Sequence, residues 1–316
     1  MRRALLALLA LALAGCSKPR EVVVFHAASL RRVMADAAAA FEKAEPGVKV
    51  RLEPSGSQVA IRKVTEQGLA ADVVATSDAA QLEQALVPSH AAWMLEFAGN
   101  ELVLAHLQHS RFTDEVSERS WPEVLLRPGV RLGRADPDSA PLGYHTLLAW
   151  QLAERHGGFG ASGEDLASRL MKSASGARLA ADETELLGML ESRGLDYAFL
   201  YRSTAEDHHL KSVRLPRELS LADPALAAVY SAVAVEVRTA SDAGERRLLA
   251  GRAITYGVSV PAKARNPADA ERFVAFLAGP KGQALQKAAG FEPLVPVRCQ
   301  QSRALPKSIA SLLSGT

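Results

Sequence analysis

The stretch EVVVF at residues 21–25 begins the part of the chain that decides the fold. Its β-branched residues and its length are typical of a buried strand, and the apolar spacing after it predicts a helix that reaches Phe41. The runs VKVRL at 48–52 and ADVVAT at 71–76 repeat the pattern, and each is followed by a further helical stretch. Strands that alternate with helices at this spacing predict a parallel sheet whose crossover connections are helices.

A second strand–helix series follows in the middle of the chain. A short strand is predicted at 130–133 and a long helix at 144–155, with the loop DPDSAPLG between them. A glycine-rich break at 157–163 ends this helix, and the strands DYAFLY at 196–201 and ITYGVSV at 254–260 come later. Two α/β lobes joined by extended crossings are the simplest architecture that this order allows.

Composition and charge narrow the classes of function. The 316-residue chain has 48% apolar and 23% charged residues, the profile of an ordinary globular protein. Its formal net charge is +2, and removal of Arg2 and Arg3 with a leader leaves the mature chain near zero. A nucleic-acid binder needs a surplus of Lys and Arg on one face, and aromatic residues for stacking make up only 5% of the chain. Nucleic acid is therefore not an expected partner.

The beginning of the chain predicts export. A basic start is followed by an apolar run at 4–14 that is too short to span a bilayer. The run ends in Leu-Ala-Gly-Cys16, which resembles the lipobox of bacterial lipoproteins, whose leader is cut before the cysteine. The resemblance implies a signal peptide at 1–16, a lipid on the Cys16 sulfur and an extracytoplasmic protein anchored to a bacterial membrane. A plain signal peptide with an incidental cysteine is the alternative. Cys299 then has no partner in the chain, so no internal disulfide is expected.

Three junctions place polar groups where a strand gives way to a helix. Ser29 follows the first strand, Ser57 ends EPSGS after the second, and Leu142 lies in the PLG segment before the long helix. Helix N-termini carry unpaired N–H donors and a partial positive charge, which suits a dehydrated anion without Lys or Arg. A serine at such a position is more often only a helix cap, so each junction alone is weak. Three of them at the carboxyl ends of strands in facing lobes predict an anion-binding cleft.

Six stretches of the chain occur in the order and spacing of a known family. They are FHAASL, EPSGSQVAIRKV, ADVVATSD, DPDSAPLGY, LLGMLESRGLDYAFLYRSTAEDHHLK and ITYGVSVPAKARNPADAERFVAFLAGPKGQ, between about residue 21 and about residue 296. They resemble the tungstate/molybdate-binding proteins of ABC transporters. The resemblance implies an α/β, two-lobed, type II periplasmic-binding-protein-like fold, each lobe a mostly parallel sheet flanked by helices, with the ligand in the cleft.

The resemblance also implies a domain division and partners. Lobe I is expected at 17–103 plus 258–316, and lobe II at 104–257. The chain is expected to be a monomer without catalytic activity or cofactor, which delivers its ligand to a membrane permease.

Five ligand-binding residues carry over from the resemblance. Ser29 and Ser57 are expected to donate hydroxyl and backbone N–H groups from lobe I. The backbone amides of Leu142 and Thr184 are expected to donate from lobe II, and the Tyr201 hydroxyl completes the set. Without the resemblance, Tyr201 would be interpreted as a strand-end aromatic residue of the core.

Two positions depart from the archaeal members of this family, whose acidic residues there expand the coordination of the metal beyond four oxygens. In this chain the positions are Ala140, before the proline of PLGY, and Leu200, before the last tyrosine of AFLY. We therefore expect a tetrahedral molybdate or tungstate dianion, bound through its oxygens by hydrogen bonds alone, with no direct metal ligand. Hydroxyl and amide donors do not titrate near neutrality, so affinity should change little between about pH 6 and about pH 8.

Other interpretations are possible. A sulfate- or phosphate-type anion receptor and a sensor lipoprotein on the same fold are the alternatives, though protonated phosphate needs an acceptor, which the two lost acids no longer supply. An enzyme would show a reactive group in the cleft, and no G-x-S-x-G motif is present. His26 is either a ligand contact or a packed strand-end residue, and the adjacent His208 and His209 lack the spacing of a metal site.

Overall fold

A computed structural model describes residues 19–156, 165–238, 246–301 and 304–314. This part of the chain contains two β-sheets flanked by helices and one two-stranded ribbon. The strands are β1 (Arg20–Ala27), β2 (Val48–Ser55), β3 (Val73–Thr76), β4 (Leu95–Gly99), β5 (Leu102–His106), β6 (Leu132–Ala135), β7 (Leu179–Ala180), β8 (Tyr197–Tyr201), β9 (Lys211–Arg214), β10 (Ala234–Arg238), β11 (Arg246–Ala250), β12 (Thr255–Ser259) and β13 (Glu292–Arg298). The α-helices are α1 (Arg31–Ala44), α2 (Ser57–Thr65), α3 (Ala79–Leu86), α4 (Trp121–Leu125), α5 (Pro141–His156), α6 (Leu166–Ser173), α7 (Glu183–Glu191), α8 (Arg202–Asp207), α9 (Ala227–Tyr230), α10 (Pro267–Ala278), α11 (Pro280–Ala288) and α12 (Lys307–Ala310).

The first predicted strand, β1, lies inside a six-stranded sheet of order β13-β4-β12-β3-β1-β2. It is parallel to both neighbours, with Val24 opposite Leu52 on β2 and opposite Val73 on β3. β12 is antiparallel to β3 and β4, and β13 is antiparallel to β4. β3 is buried at every position and β1 from its third residue on, which is why their sequences are continuous apolar runs.

The second strand–helix series builds a five-stranded sheet of order β7-β6-β8-β5-β9. β6 is parallel to β7 and β8, whereas β5 is antiparallel to β8 and β9. The predicted two-lobed α/β fold is confirmed. Its sheets are mixed rather than mostly parallel, because the strands next to each crossing run against their neighbours.

The chain passes between the two sheets twice. It leaves the six-stranded sheet after β4 and enters the other with β5, and it returns between β11 and β12. We call the described residues within 19–99 and 255–314 lobe I, and the described residues within 102–250 lobe II. The expected boundaries at 103/104 and 257/258 fall inside β5 and β12, because each apolar run contains no signal that separates the crossing from the strand.

Helix α5 forms the centre of lobe II and is buried along most of its length. Trp150 on this helix contacts Phe199 of β8 edge to face, with ring centroids 5.8 Å apart, and Trp121 contacts the same ring at 5.4 Å. A buried aromatic side chain removes about 150–250 Å² from water, so the Trp150 contact holds α5 on the sheet and the Trp121 contact holds α4 on it. At its first turn, a Cβ on Gly143 would lie 2.5 Å from the backbone nitrogen of Pro137, so only glycine fits there.

Some predicted features lie outside the described residues. These are the signal peptide at 1–16 with its lipidation site Cys16, and the glycine-rich stretch at 157–163. Within the described ranges, no helix combines the length and the hydrophobicity that crossing a bilayer requires. In the same ranges Cys299 is a free, half-buried cysteine.

Candidate functional site

Four of the five predicted ligand-binding residues line one small cavity between the lobes. Ser29 and Ser57 come from lobe I, and Leu142 and Tyr201 come from lobe II. The remaining residues that line it are Ala27, Ala28, Gly56, Ser77, Ala140, Pro141, Asp182 and Glu183.

The fifth predicted residue, Thr184, is not among the residues that line this cavity. It is exposed and lines an adjacent groove, where its hydroxyl lies 3.5 Å from the guanidinium of Arg31. Its neighbour Glu183 lines the cavity instead. Of the two positions that depart from the archaeal pattern, Ala140 lines the cavity and Leu200 does not, because alternate residues of β8 face opposite sides of the sheet.

Three helices begin at the cavity. α2 begins at Ser57 with Gly56 as its N-cap, α5 begins at Pro141, and α7 begins at Glu183. Glycine has no side chain that could cap the first turn of α2, so the cap leaves these N–H groups unoccupied. Each helix N-terminus carries about half an elementary positive charge, but the first turn of α7 is already capped by the Asp182 carboxyl, which accepts from the backbone N–H of Glu185. Neither Lys nor Arg occurs among the described residues that line the cavity, so helix termini and hydroxyls supply its attraction for an anion.

The two lobes approach each other closely at Gly56. A Cβ on this residue would lie 2.8 Å from the carbonyl oxygen of Ser139 in lobe II, closer than real Cβ contacts come. The Ser139 hydroxyl in turn donates to the carbonyl oxygen of Ala181, which precedes α7. Glycine at position 56 therefore lets the loops of the two lobes close over the cavity.

The direction of the Ser29 hydroxyl is set by two residues that do not line the cavity. The Asn100 side-chain oxygen accepts from the backbone N–H of Glu101 at 2.9 Å, so its NH₂ group must be the donor to the Tyr256 hydroxyl at 3.3 Å. Tyr256 then donates its own hydrogen to the Ser29 oxygen at 3.1 Å. Because Ser29 already accepts this hydrogen bond, its hydroxyl hydrogen remains available for a ligand.

Ser57 is polarised in a comparable way. Its hydroxyl oxygen accepts a hydrogen bond of 3.2 Å from the backbone N–H of Ser77, and the two serine hydroxyls lie 3.1 Å apart. Both serines line the cavity and both are buried. Ser77 also hydrogen-bonds to the side chain of Tyr201, so the hydroxyls of Ser57, Ser77 and Tyr201 form one connected polar group at the cavity.

Tyr201 is held by a buried histidine. The Nδ1 atom of His145 lies 2.9 Å from the Tyr201 hydroxyl, and both side chains are almost fully buried. Burial lowers the pKa of His145 to about 4 and raises the pKa of Tyr201 well above its ordinary value. At neutral pH the imidazole is therefore uncharged and the phenol keeps its hydrogen. When Nδ1–H donates to the phenol oxygen, Tyr201 is left as a hydrogen-bond donor to the cavity.

Glu183 is a cavity residue that sequence reasoning missed. It is 5% exposed, and its Oε1 accepts a hydrogen bond of 3.4 Å from the backbone N–H of Tyr201. Burial raises the pKa of the carboxyl to about 7, against smaller lowering effects of the Thr204 side chain and the Tyr201 N–H. The sequence DETE at 182–185 carries no signal for this position, because acidic residues in a first helical turn usually lie at the surface.

Asp78 joins both lobes next to the cavity, and sequence reasoning missed it as well. It caps α3 through the backbone N–H of Gln81, and both of its oxygens accept from Arg252 at 2.6 and 2.7 Å. The Tyr144 hydroxyl of α5 donates to it at 2.6 Å. Burial alone would raise the pKa of Asp78, but Arg252, with smaller effects of His145 and Tyr144, lowers it to about 2. The carboxylate is therefore ionised and supplied with donors from both lobes.

The histidines considered as possible ligand or metal contacts do not line the cavity. His26 is buried with its Nδ1 atom 2.8 Å from the Ala27 carbonyl oxygen, and it does not line the cavity. His208 lies 3.0 Å from Glu191 at the surface. Among the residues that the structure describes, no group of three His, Cys, Asp or Glu side chains could hold a metal ion.

Comparison with known proteins identifies the family of this chain. Residues 22–292 match the family described as bacterial extracellular solute-binding protein. An uncharacterized solute-binding protein of Petrotoga mobilis is 34% identical over 93% of this chain and 90% of its own length. The molybdate/tungstate-binding protein WtpA of Pyrococcus abyssi is 32% identical over 84% of this chain and 82% of its own.

A solved structure has the same fold. The periplasmic molybdate-binding protein of Azotobacter vinelandii superposes with a TM-score of 0.59 over 85% of this chain and 98% of its own, at 18% identity. The family match covers most of the chain, and the two-lobed architecture of the described residues agrees with it. This chain belongs to the family of bacterial extracellular solute-binding proteins.

Proposed function

We propose that this chain is the extracytoplasmic binding component of an ABC importer, which captures molybdate or tungstate in the cavity between its lobes and delivers it to a permease. The observation that carries the proposal is the convergence of three helix N-termini with the hydroxyls of Ser29, Ser57 and Tyr201, in a cavity that no described Lys or Arg lines. Such donors bind a dehydrated anion through its oxygens. The named function of the Pyrococcus relative supports this ligand class.

Within this proposal the residues have distinct tasks. The hydroxyls of Ser29 and Ser57 and the first-turn amides of α2 bind from lobe I. The amide of Leu142 and the hydroxyl of Tyr201 bind from lobe II, with the first amides of α7 beside them. A lipid on Cys16 holds the protein at the membrane, close to the permease, by burying its acyl chains.

A protonated oxyanion such as hydrogen phosphate is the second candidate. It requires an acceptor in the site, and the absence of acids at positions 140 and 200 argued against one. The carboxyl of Glu183, next to the cavity, supplies such an acceptor from a position that the sequence did not indicate. Sulfate, molybdate and tungstate have no proton to offer this acceptor, so an ionised Glu183 would favour hydrogen phosphate over all three.

Calorimetric titration of the mature chain, residues 17–316, with molybdate, tungstate, sulfate and phosphate tests the proposal. We expect one molybdate or tungstate per chain, with sulfate far weaker, because donors placed for a larger anion do not reach the sulfate oxygens and each unmet donor costs about 1–3 kcal/mol. Competition by sulfate at equal concentration would show that the ligand is wrong. Binding of none of the four anions would refute the proposed function.

A further inference from the structure

Glu183 brings a buried acidic residue to the cavity that the proposed dianion would occupy. The residue lines the cavity together with Ser29, Ser57 and Leu142, and its Oε1 contacts the backbone of Tyr201, which lines it too. No Lys or Arg lies among the described residues of this cavity. An ionised carboxylate here would repel a bound dianion at short range, and no described Lys or Arg of the cavity lining compensates it.

The charged groups around Glu183 do not cancel the repulsion between its ionised carboxylate and a bound dianion. In the adjacent groove Arg32 pairs with Asp207 at 3.0 Å, and Arg31 contacts the Thr184 hydroxyl. Asp182 adds negative charge from the same helix end. Asp182, Tyr201 and Tyr256 interact electrostatically with Glu183. The other titratable groups nearby line the adjacent groove together with Glu183, and they are Arg31, Arg32, Glu191, Asp207 and His208.

Resting on the proposed function, we infer that Glu183 is protonated in the loaded protein, so that the site takes up the oxyanion dianion together with one proton. A neutral carboxyl removes the repulsion and offers an O–H donor beside hydroxyls and amides that are donors already. When the empty protein has lost this proton, binding recovers it from solvent. Glu183 is then a residue that makes affinity depend on pH, against the expectation from hydroxyl and amide donors alone.

The pKa of Glu183 without ligand is consistent with a protonated carboxyl in the loaded protein. Burial raises the pKa of Glu183 to about 7, so the carboxyl is half protonated near neutrality before any ligand arrives. A bound dianion raises this pKa further, because a neighbouring negative charge disfavours the ionised form. Above about pH 7, the fraction of protein that is ready to bind therefore decreases by up to tenfold for each pH unit.

The test is calorimetric titration with molybdate, at pH values where it is fully deprotonated, in buffers of different ionisation enthalpy. We expect uptake of about one proton per molybdate at pH 8, and an affinity roughly 50-fold weaker at pH 9 than at pH 7. Glu183→Gln, which resembles the neutral acid in shape, should show neither effect and should bind more tightly than the wild type at pH 9. Glu123→Gln, an exposed carboxylate on α4, should keep the wild-type pH dependence.

The outcomes separate the two proposals. Wild-type binding that is independent of pH and takes up no proton would overturn the inference while leaving the proposed function intact. A Glu183→Gln protein that keeps the wild-type pH dependence would overturn it as well, by assigning the proton to another group. Absence of molybdate, tungstate and phosphate binding at every pH from about 6 to about 9 would overturn the proposed function and this inference together.

Discussion

The hydroxyl of Tyr144 in lobe II donates a hydrogen bond of 2.6 Å to the carboxylate of Asp78 in lobe I. Tyr144 follows Leu142 by two residues on α5, and Asp78 directly follows Ser77, whose amide donates to Ser57. The bond that joins the lobes therefore lies one or two residues from the groups proposed to bind the anion on each side. Closure of the lobes and completion of the site are thus expected to occur together.

Tyr144→Phe should weaken molybdate binding without removing a ligand contact. The variant deletes one donor to an ionised, buried carboxylate, an interaction of about 1.5–3 kcal/mol, so affinity should fall by roughly 10- to 150-fold if the bond forms only on closure. Titration calorimetry measures this loss. Tyr230→Phe is the matched control, because its hydroxyl donates to the Arg217 carbonyl oxygen within lobe II. An equal loss of affinity in both variants would contradict a specific role of the inter-lobe bond.

Ser57→Ala and Tyr201→Phe should each weaken binding without unfolding the protein. Both remove a proposed donor to a charged acceptor, worth about 1.5–3 kcal/mol, or roughly 10- to 150-fold in affinity. Melting temperatures without ligand separate binding from stability. Unchanged affinity in both variants would exclude these hydroxyls from the site, and a large loss of melting temperature would indicate a structural role.

Ser29 and Tyr256 should be energetically coupled, because Tyr256 polarises the Ser29 hydroxyl through the 3.1 Å hydrogen bond. Tyr256→Phe should lower affinity although its side chain does not line the cavity. In a double-mutant cycle with Ser29→Ala, the second substitution should cost much less than it does alone, with an interaction energy of about 0.5–3 kcal/mol. Additive effects on affinity would show that the two hydroxyls act independently.

Glu183→Gln should change how folding stability depends on pH. As pH rises, the unfolded carboxyl ionises at about 4.5 while the folded one stays protonated until about 7, so wild-type stability falls across this window by about 3 kcal/mol. His26 and His145, whose pKa burial lowers to about 4, act in the opposite sense in both proteins.

The difference between the two proteins therefore isolates Glu183. Urea unfolding should show that the variant gains about 3 kcal/mol relative to the wild type between about pH 4.5 and about pH 8. Parallel stability curves would mean that the Glu183 carboxyl is ionised in the folded protein throughout this range.

Cys16 should decide where the protein resides. Cys16→Ser leaves the predicted export signal intact but removes the sulfur that carries the lipid, so the protein should move from the membrane fraction to the soluble extracytoplasmic fraction. Immunoblots of fractionated cells measure this shift. A wild-type protein that is soluble throughout would contradict the lipobox interpretation and leave a plain signal peptide.

The sequence by itself determined the two-lobed fold and four of the twelve described residues that line the cavity. Strands such as β1 and β3 are contiguous apolar runs, and a strand followed by a helix is a local pattern, so the junctions at Ser29, Ser57 and Leu142 can be located from the order of residues alone. The resemblance added Tyr201 in the same way, through the short motif DYAFLY. A strand buried on both faces has a continuous apolar sequence, and a helix has apolar residues at helical spacing. Both patterns involve residues close together in the chain, so the sequence shows them directly.

Only the tertiary structure showed which distant side chains contact the cavity residues and orient their hydroxyl groups. Asp78 and Arg252 are 174 residues apart in sequence, and Tyr256 and Ser29 are 227 residues apart. No local sequence pattern therefore predicts either contact. Thr184 and Glu183 are neighbours on one helix turn, and a rotation of about 100° per residue decides which of them faces the cavity. Burial then raises the pKa of the Glu183 carboxyl, because a carboxylate loses its water only when both lobes and the helix end enclose it.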